Sequence, residues 1–215
     1  MTNVLPTAAV DVKRIQVGCG PDNLLKDWWN VDIRDFDGID EVMDVTLPWR
    51  FKDSLDYVFG EHFLEHLAIN KAFDFLSHSN AAFREGGVIR LSTPSLEWVI
   101  ATHFDIGAVD DSQIFNQTLA FNRAFYGWGH QFLYSKTMLT QLLLAAGFSN
   151  LTFFSYGQSK DSALSNIERH KGYQIHQGFP SVWIIEGTKD AKPVFDFGFL
   201  ELINKGFLAH VNSGH

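Results

Sequence analysis

Three groups of side chains in this sequence could do chemistry together. They are the glycine turn Gly18-Cys19-Gly20, the carboxylates Asp32, Asp44 and Glu61, and the histidines His62, His66 and His130. A short apolar run at 14–17 breaks into the glycine turn, and a second apolar run reaches Asp32. A strand that gives way to glycines lets main chain approach a ligand closely. A carboxylate closing the next strand can accept two vicinal hydroxyls of a ribose. This is the outline of a nucleoside-cofactor site. Downstream, His62-Phe-Leu-Glu65-His66 places two imidazoles and a carboxylate within about one helical turn, if that stretch is helical. Histidine, with an unperturbed pKa of ~6.5, suits a general base, and the same set could hold a divalent ion.

The elements that must position these groups alternate between strand-like and helix-like patterns. Apolar runs at 14–17, 29–33, 41–45 and 55–59 read as strands. Positions 69, 72, 73, 76 and 83 trace one helical face, and Gly86-Gly87 is expected to end that helix. Residues 88–92 then form a strand closed by Thr93-Pro94. Ser135 can cap a second helix, with Met138, Leu139, Leu142, Leu143 and Ala146 as its stripe and Gly147 as its stop. Late strands follow at 151–156 and 182–188. This alternation predicts an α/β fold with a largely parallel sheet covered on both faces. Two stretches fall outside it: 103–134, aromatic-rich and weakly periodic, and 157–180, polar and irregular. Both are expected over the sheet's carboxyl edge, with 103–134 as a lid. The phenylalanine-rich tail, 191–215, is expected to pack on the body or to make a homodimer contact.

Composition narrows the partners. The chain has 215 residues, 46% of them hydrophobic and 20% charged, which predicts one folded domain at 1–190 plus the tail. A formal charge of −8 with no Lys/Arg cluster argues against nucleic acid. The single cysteine, Cys19, allows no internal disulfide and fits a reducing compartment. The opening residues lack the blocks of a signal peptide, and no apolar run is long enough to span a bilayer. The expected location is the cytoplasm, with no membrane partner.

The glycine turn is a poor match to a dinucleotide fingerprint. Gly20 is followed by Pro21, Asp22 and Asn23, with no third glycine, and Asp22 would repel a phosphate. The short span to Asp32 leaves room for a turn or two of helix. A cofactor without phosphates and with a cationic centre fits better, which points to S-adenosylmethionine. Five further segments agree in order: Asn-Val-Asp-Ile at 30–33, Asp-Val-Thr-Leu-Pro-Trp at 44–49, Glu-His-Phe-Leu-Glu-His-Leu at 61–67, Gly-Gly-Val-Ile-Arg-Leu-Ser-Thr-Pro at 86–94, and Gly-His-Gln-Phe at 129–132 ahead of Leu-Ala-Ala-Gly-Phe. With Val-Gly-Cys-Gly at 17–20, the chain resembles a class I (Rossmann-like, seven-stranded) S-adenosylmethionine-dependent methyltransferase of the small-molecule type, over about residues 13–190.

The resemblance implies a three-layer sheet with helices on both faces. It implies backbone contacts from Gly18, Cys19 and Gly20, ribose binding by Asp32, an adenine edge at Asp44 and Val45, and Glu61 beside the methionyl end. S-adenosylhomocysteine would be the product. His62 and His130 would act as bases toward a small or medium acceptor, with O-methylation preferred over N-methylation. Two positions depart from the pattern: Gln16 replaces a usual acidic residue, and Asp22 a common glycine. Phe121, Asn122, Arg123, Phe125, Tyr126 and Trp128 are candidates to touch the acceptor. Trp28 and Trp29 are expected in packing rather than on the adenine, and Cys19 as a packed residue rather than a nucleophile. His62-x-x-Glu65-His66 also matches the inverted zinc-peptidase motif, but it follows a strand and a glycine loop, which is the wrong context. Two alternatives stay open: a metal-assisted methyltransferase using His62, Glu65, His66 and His130, and a cofactor-binding protein of the same fold without turnover.

Overall fold

A computed structural model describes residues 11–176 and 178–211; the opening residues read above for a signal peptide, and the end of the tail, lie outside them. Strand β1 (Arg14–Val17) shows how the sheet is built: Ile15 and Val17 are fully buried on one face, and Gln16 is buried on the other. Strands β2 (Trp29–Asp32), β3 (Glu41–Val42) and β4 (Leu55–Glu61) follow, then α1 (Ile69–Ala82) and β5 (Phe83–Pro94). Helices α2 (Leu96–His103), α3 (Asp111–Tyr126) and α4 (Lys136–Ala145) lead to β6 (Phe148–Phe154). A hairpin of β7 (Gln174–His176) and β8 (Phe179–Pro180) precedes β9 (Val182–Lys189) and α5 (Phe197–Ile203). The seven-stranded sheet runs β3-β2-β1-β4-β5-β9-β6, with the first five strands parallel and β9 antiparallel to both neighbours. The strand order reverses between β1 and β4, and ligands of open α/β sheets bind beyond the carboxyl ends at such a switch point.

One face of the sheet is covered by helices. Val58, Ile89, Leu91 and Ile185 pack against Phe73 and Leu76 of α1 and Leu139, Leu142 and Leu143 of α4. Each such buried side chain contributes roughly 1.5–3 kcal/mol. Ser135 caps α4 as expected, its Oγ accepting from the Met138 amide at 3.1 Å, and Gly147 leaves the helix with φ +82°. The tail helix α5 lies on α1 and α4, with Ile203 buried and the Asp196 amide donating to the Ala145 carbonyl at 2.8 Å.

The other face is covered mainly by coil. Phe59 and Trp28 of the sheet side pack with Leu164, and the 3₁₀ turn Ser162–Leu164 is the only helical turn among the described residues of 157–180. Arg90 of β5 carries ion pairs to Glu168 of that coil and to Glu186 of β9, and Tyr57 Oη donates to Asp161 at 2.6 Å. The expected helices are missing here because β1–β2 is bridged by a loop alone. Gln16 holds that loop, donating to the Asn23 carbonyl (2.7 Å) and accepting from the Leu25 amide (3.0 Å). A carboxylate at position 16 could accept but not donate.

Three local expectations are corrected. Gly86-Gly87 does not end α1, which stops at Ala82; the pair lies inside β5, where the register jumps from Leu55–Phe83 to Tyr57–Val88 and Gly86 has φ +77°. Such a bulge needs a residue free to take positive φ. Residues 103–134, weakly periodic and expected outside the alternation of elements, hold the helix α3, capped by Asp110, whose carboxylate accepts from the Gln113 amide at 2.8 Å. The expected strand at 41–45 is only Glu41–Val42. No helix among the described residues is long and apolar enough to cross a membrane.

Candidate functional site

At the switch point lies a cavity of about 600 Å³, within the usual range for a small-molecule site. Its wall takes Gly18 from the end of β1, Asp32 from the end of β2, Asp44 and Val45 after β3, and His62 after β4. The apolar side comes from Ile33, Met43, Phe63 and Leu67, and the rim from Arg34, Thr46, Lys71, Gln131 and Trp128.

Gly18 has φ +58°, and a Cβ there would stand 2.3 Å from the Phe63 ring. Both facts demand glycine, and together they press bare backbone against the cavity. Asp32 is 5% exposed and stays charged. Burial alone would raise its pKa, yet hydrogen bonds from the Arg34 side chain and amide and from the Gly20 amide hold it below the usual carboxylate range. A ribose reaching Asp32 must take over the hydrogen bonds that Arg34 makes, and the Arg34 side chain is 66% exposed and free to leave. Asp44 turns one oxygen to the Thr46 amide and hydroxyl, at 3.0 and 2.8 Å.

His62 sits at φ +46°, a strained backbone for a non-glycine residue. Its Nδ1 lies 3.1 Å from Oε1 of Glu65, which is fully buried, and Thr93 donates to the other Glu65 oxygen at 3.0 Å. Burial disfavours the charged ring, but the Glu65 hydrogen bond and the charges of Glu65 and Glu61 outweigh it, so His62 titrates above an ordinary histidine. Glu65 thus fixes the ring, leaving Nε2 as the second nitrogen available for chemistry.

Other expected residues are placed elsewhere. Cys19 and Gly20 flank the cavity without lining it; burial first, then the Asp32 charge, pushes the Cys19 thiol up to about 11, so it is no ready nucleophile. Glu61 does not line the cavity either: Oε1 accepts from the amides of Arg169 and His170 (2.8 Å each) and Oε2 from Asn23 at 3.1 Å. Its carboxylate ties the coil of 157–171 to the β1–β2 loop. His130 also lies off the cavity wall, its Nδ1 2.9 Å from the Ala124 carbonyl. Of the expected acceptor contacts only Trp128 reaches the rim; Phe121 and Phe125 pack between α2 and α3. Trp28 packs edge-on against Phe59, as expected of a packing residue. Phe63, Arg34 and Glu65 take part without having been assigned cofactor or base roles; only the close Gly18–Phe63 approach, invisible in sequence, could have flagged Phe63.

The Glu65, His66 and His130 ligand atoms all lie within 4.8 Å of one another. Within His62-x-x-Glu65-His66 the chain forms only a 3₁₀ turn, Leu64–His66, so the condition of a helical stretch is not met.

No family model and no curated protein sequence matches the chain. Solved structures do. A SAM-dependent methyltransferase from Archaeoglobus fulgidus superposes with a TM-score of 0.50 at 16% identity, over 83% of this chain and 86% of that one. An S-adenosylmethionine dependent methyltransferase from Mesorhizobium loti gives a TM-score of 0.50 at 14% identity, over 83% and 91%. A possible exported protein from Bordetella parapertussis is matched over 70% of this chain at 16% identity and a TM-score of 0.43, and there the chain spans only 43% of the larger protein. Likeness at this identity speaks to architecture: the chain has the fold of the class I, Rossmann-like S-adenosylmethionine-dependent methyltransferases.

Proposed function

We propose that the chain binds S-adenosylmethionine in the 600 Å³ cavity and catalyses methyl transfer to a small or medium acceptor, preferentially at oxygen. The observation that carries this reading is the His62–Glu65 pair: an imidazole on the cavity wall, held by a buried carboxylate beside the Gly18 turn. The residues fit the cofactor: a charged, buried Asp32 for ribose hydroxyls, backbone at Gly18, and apolar Ile33, Met43 and Val45 for a flat base. When bound, the cofactor supplies an electrophilic methyl group on sulfonium. His62 takes the acceptor hydroxyl's proton at Nε2, and Glu65 stabilises the resulting imidazolium through Nδ1. Phe63 and Leu67 keep water from the reacting side. Residues 103–134, with Trp128 on the rim, act as the lid.

Isothermal titration with S-adenosylmethionine and S-adenosylhomocysteine should show one site per chain. Asp32→Ala should weaken it about ten- to a hundredfold, the scale of lost charged hydrogen bonds. Binding of neither compound to the native chain overturns the reading. Binding without turnover on any acceptor would favour a cofactor-binding protein of the same fold.

A second reading rests on the Glu65-His66-His130 cluster. His130 Nδ1–H donates to the Ala124 carbonyl, which leaves Nε2 with a lone pair, the arrangement of a ligating histidine. Two imidazoles and a carboxylate would suit a divalent ion such as zinc or iron(II), which could orient an acceptor's hydroxyls. If so, a chelator abolishes activity and a divalent ion restores it; chelator-indifferent activity removes this reading.

A further inference from the structure

A second cavity lies at the far end of the sheet, about 430 Å³ in volume, between the ends of β6 and β9 and the β7–β8 hairpin. Strand order puts three spacings between β4 and β6, roughly 14 Å at about 4.8 Å per strand, so it is separate from the cavity at His62. Both open at the carboxyl edge of the parallel strands, because β9 starts there opposite Pro94 and Thr93.

Among the described residues its lining holds two lysines, Lys136 and Lys171, and no carboxylate. Neither ammonium has an ion-pair partner among the described residues. The Lys136 Nζ lies 4.8 Å from the Phe153 ring centroid and 5.5 Å from that of Trp183. Aromatic faces hold a cation in place without neutralising it, so its N–H donors stay available to an anion. Glu97, the neighbouring acid, is already engaged: one oxygen accepts from the Lys136 amide (2.8 Å) and the other from Trp183 Nε1 (3.0 Å). Tyr173 stands at the mouth with 79% of its surface exposed, and its backbone is pinned by a hydrogen bond from its amide to Ser181 Oγ at 2.7 Å. An exposed aromatic ring on a fixed backbone is a stacking platform. In a chain of charge −8, a concave surface whose described lining carries two cations and no acid runs against the long-range field.

We propose that this cavity binds a small anionic ligand carrying a planar ring, the anion between Lys136 and Lys171 and the ring on Tyr173. The proposal stands whether or not the first cavity takes S-adenosylmethionine.

The test is calorimetric titration of the full chain with phenyl phosphate and benzoate, with inorganic phosphate and phenol as half-ligands. At least one ring-bearing anion should bind tenfold or more tightly than either half-ligand; tighter phenyl phosphate identifies a phosphate ligand, tighter benzoate a carboxylate. Lys136→Gln/Lys171→Gln should weaken it tenfold or more, and Tyr173→Ala several-fold. The control Lys13→Gln/Lys205→Gln removes the same charge elsewhere and should change it less than twofold. Equal binding by the Lys136/Lys171 variant, or by inorganic phosphate alone, overturns the proposal. So does no binding by either ring-bearing anion. All four lysines have solvent-facing side chains, and a circular dichroism melt shows that the variants stay folded.

Discussion

His62→Ala should lower methyl-transfer turnover roughly a hundred- to ten-thousandfold, the range for loss of a positioned general base, while S-adenosylmethionine affinity changes less than about threefold. His62 lines the cavity, whereas the groups assigned to the cofactor, Asp32 and the Gly18 backbone, are untouched by the substitution. The pH profile supplies an independent readout. A base must be neutral to work, and His62 titrates above the ordinary ~6.5 because the Glu65 bond and charges outweigh burial. Turnover should therefore rise with pH through an apparent pKa above that value. Glu65→Gln removes the charge that holds the proton, so the limb should move to lower pH even as maximal turnover falls. In stability, the protonated His62–Glu65 pair contributes most below the unfolded histidine pKa, and that contribution is lost as pH rises through the raised folded value. His130→Ala should stay within a few-fold of native, since His130 faces the Ala124 carbonyl rather than the cavity. A full loss in His130→Ala would instead favour the metal reading. Native turnover in His62→Ala would sink the base assignment.

The parts of this site legible in the sequence are those that depend on backbone and strand ends. Gly18 and Gly20 both take positive φ, and Asp32 closes a strand beside them, because local chain geometry places these residues without reference to distant partners. What escaped the sequence depends on pairs far apart in the chain. Glu61 looks like a ligand group by its position at the carboxyl end of β4, yet two amides more than a hundred residues later claim its carboxylate. The coil of 157–171 has no periodicity, so nothing local announces that Leu164 and Glu168 will cover a sheet face. Helix α3 is hidden differently: its buried contacts are with α2 and with Leu133, and Phe115, Leu119 and Tyr126 stay exposed, so apolar residues fall on both sides and blur the stripe.

Arg90→Met should lower unfolding free energy by about 3–5 kcal/mol, the cost of stranding buried carboxylates, and the melting midpoint by about 6–20 °C for a chain of this size. Arg90 and Glu168 have fully buried side chains, Glu186 is 11% exposed, and the guanidinium also donates to the Gln158 carbonyl at 3.0 Å. One Glu168 oxygen has no hydrogen-bond partner among the described residues, so Arg90 is the main compensation for that charge. Methionine keeps the length and removes the cation, leaving two acids without their shared partner in the buried seam between sheet and coil. The coil from 157 to 171 should then detach first, and the amides of Arg169 and His170, now bonded to Glu61, should exchange with solvent faster than those of β4. The triple variant Arg90→Met/Glu168→Leu/Glu186→Leu separates charge from packing. It should regain most of the lost stability, because an apolar seam of similar volume carries no desolvation cost. A single variant within about 1 kcal/mol of native would show that water, not Arg90, solvates these carboxylates, and that Leu164, Ile167 and the hydrogen bonds to Tyr57 and Glu61 suffice to hold the coil to the sheet.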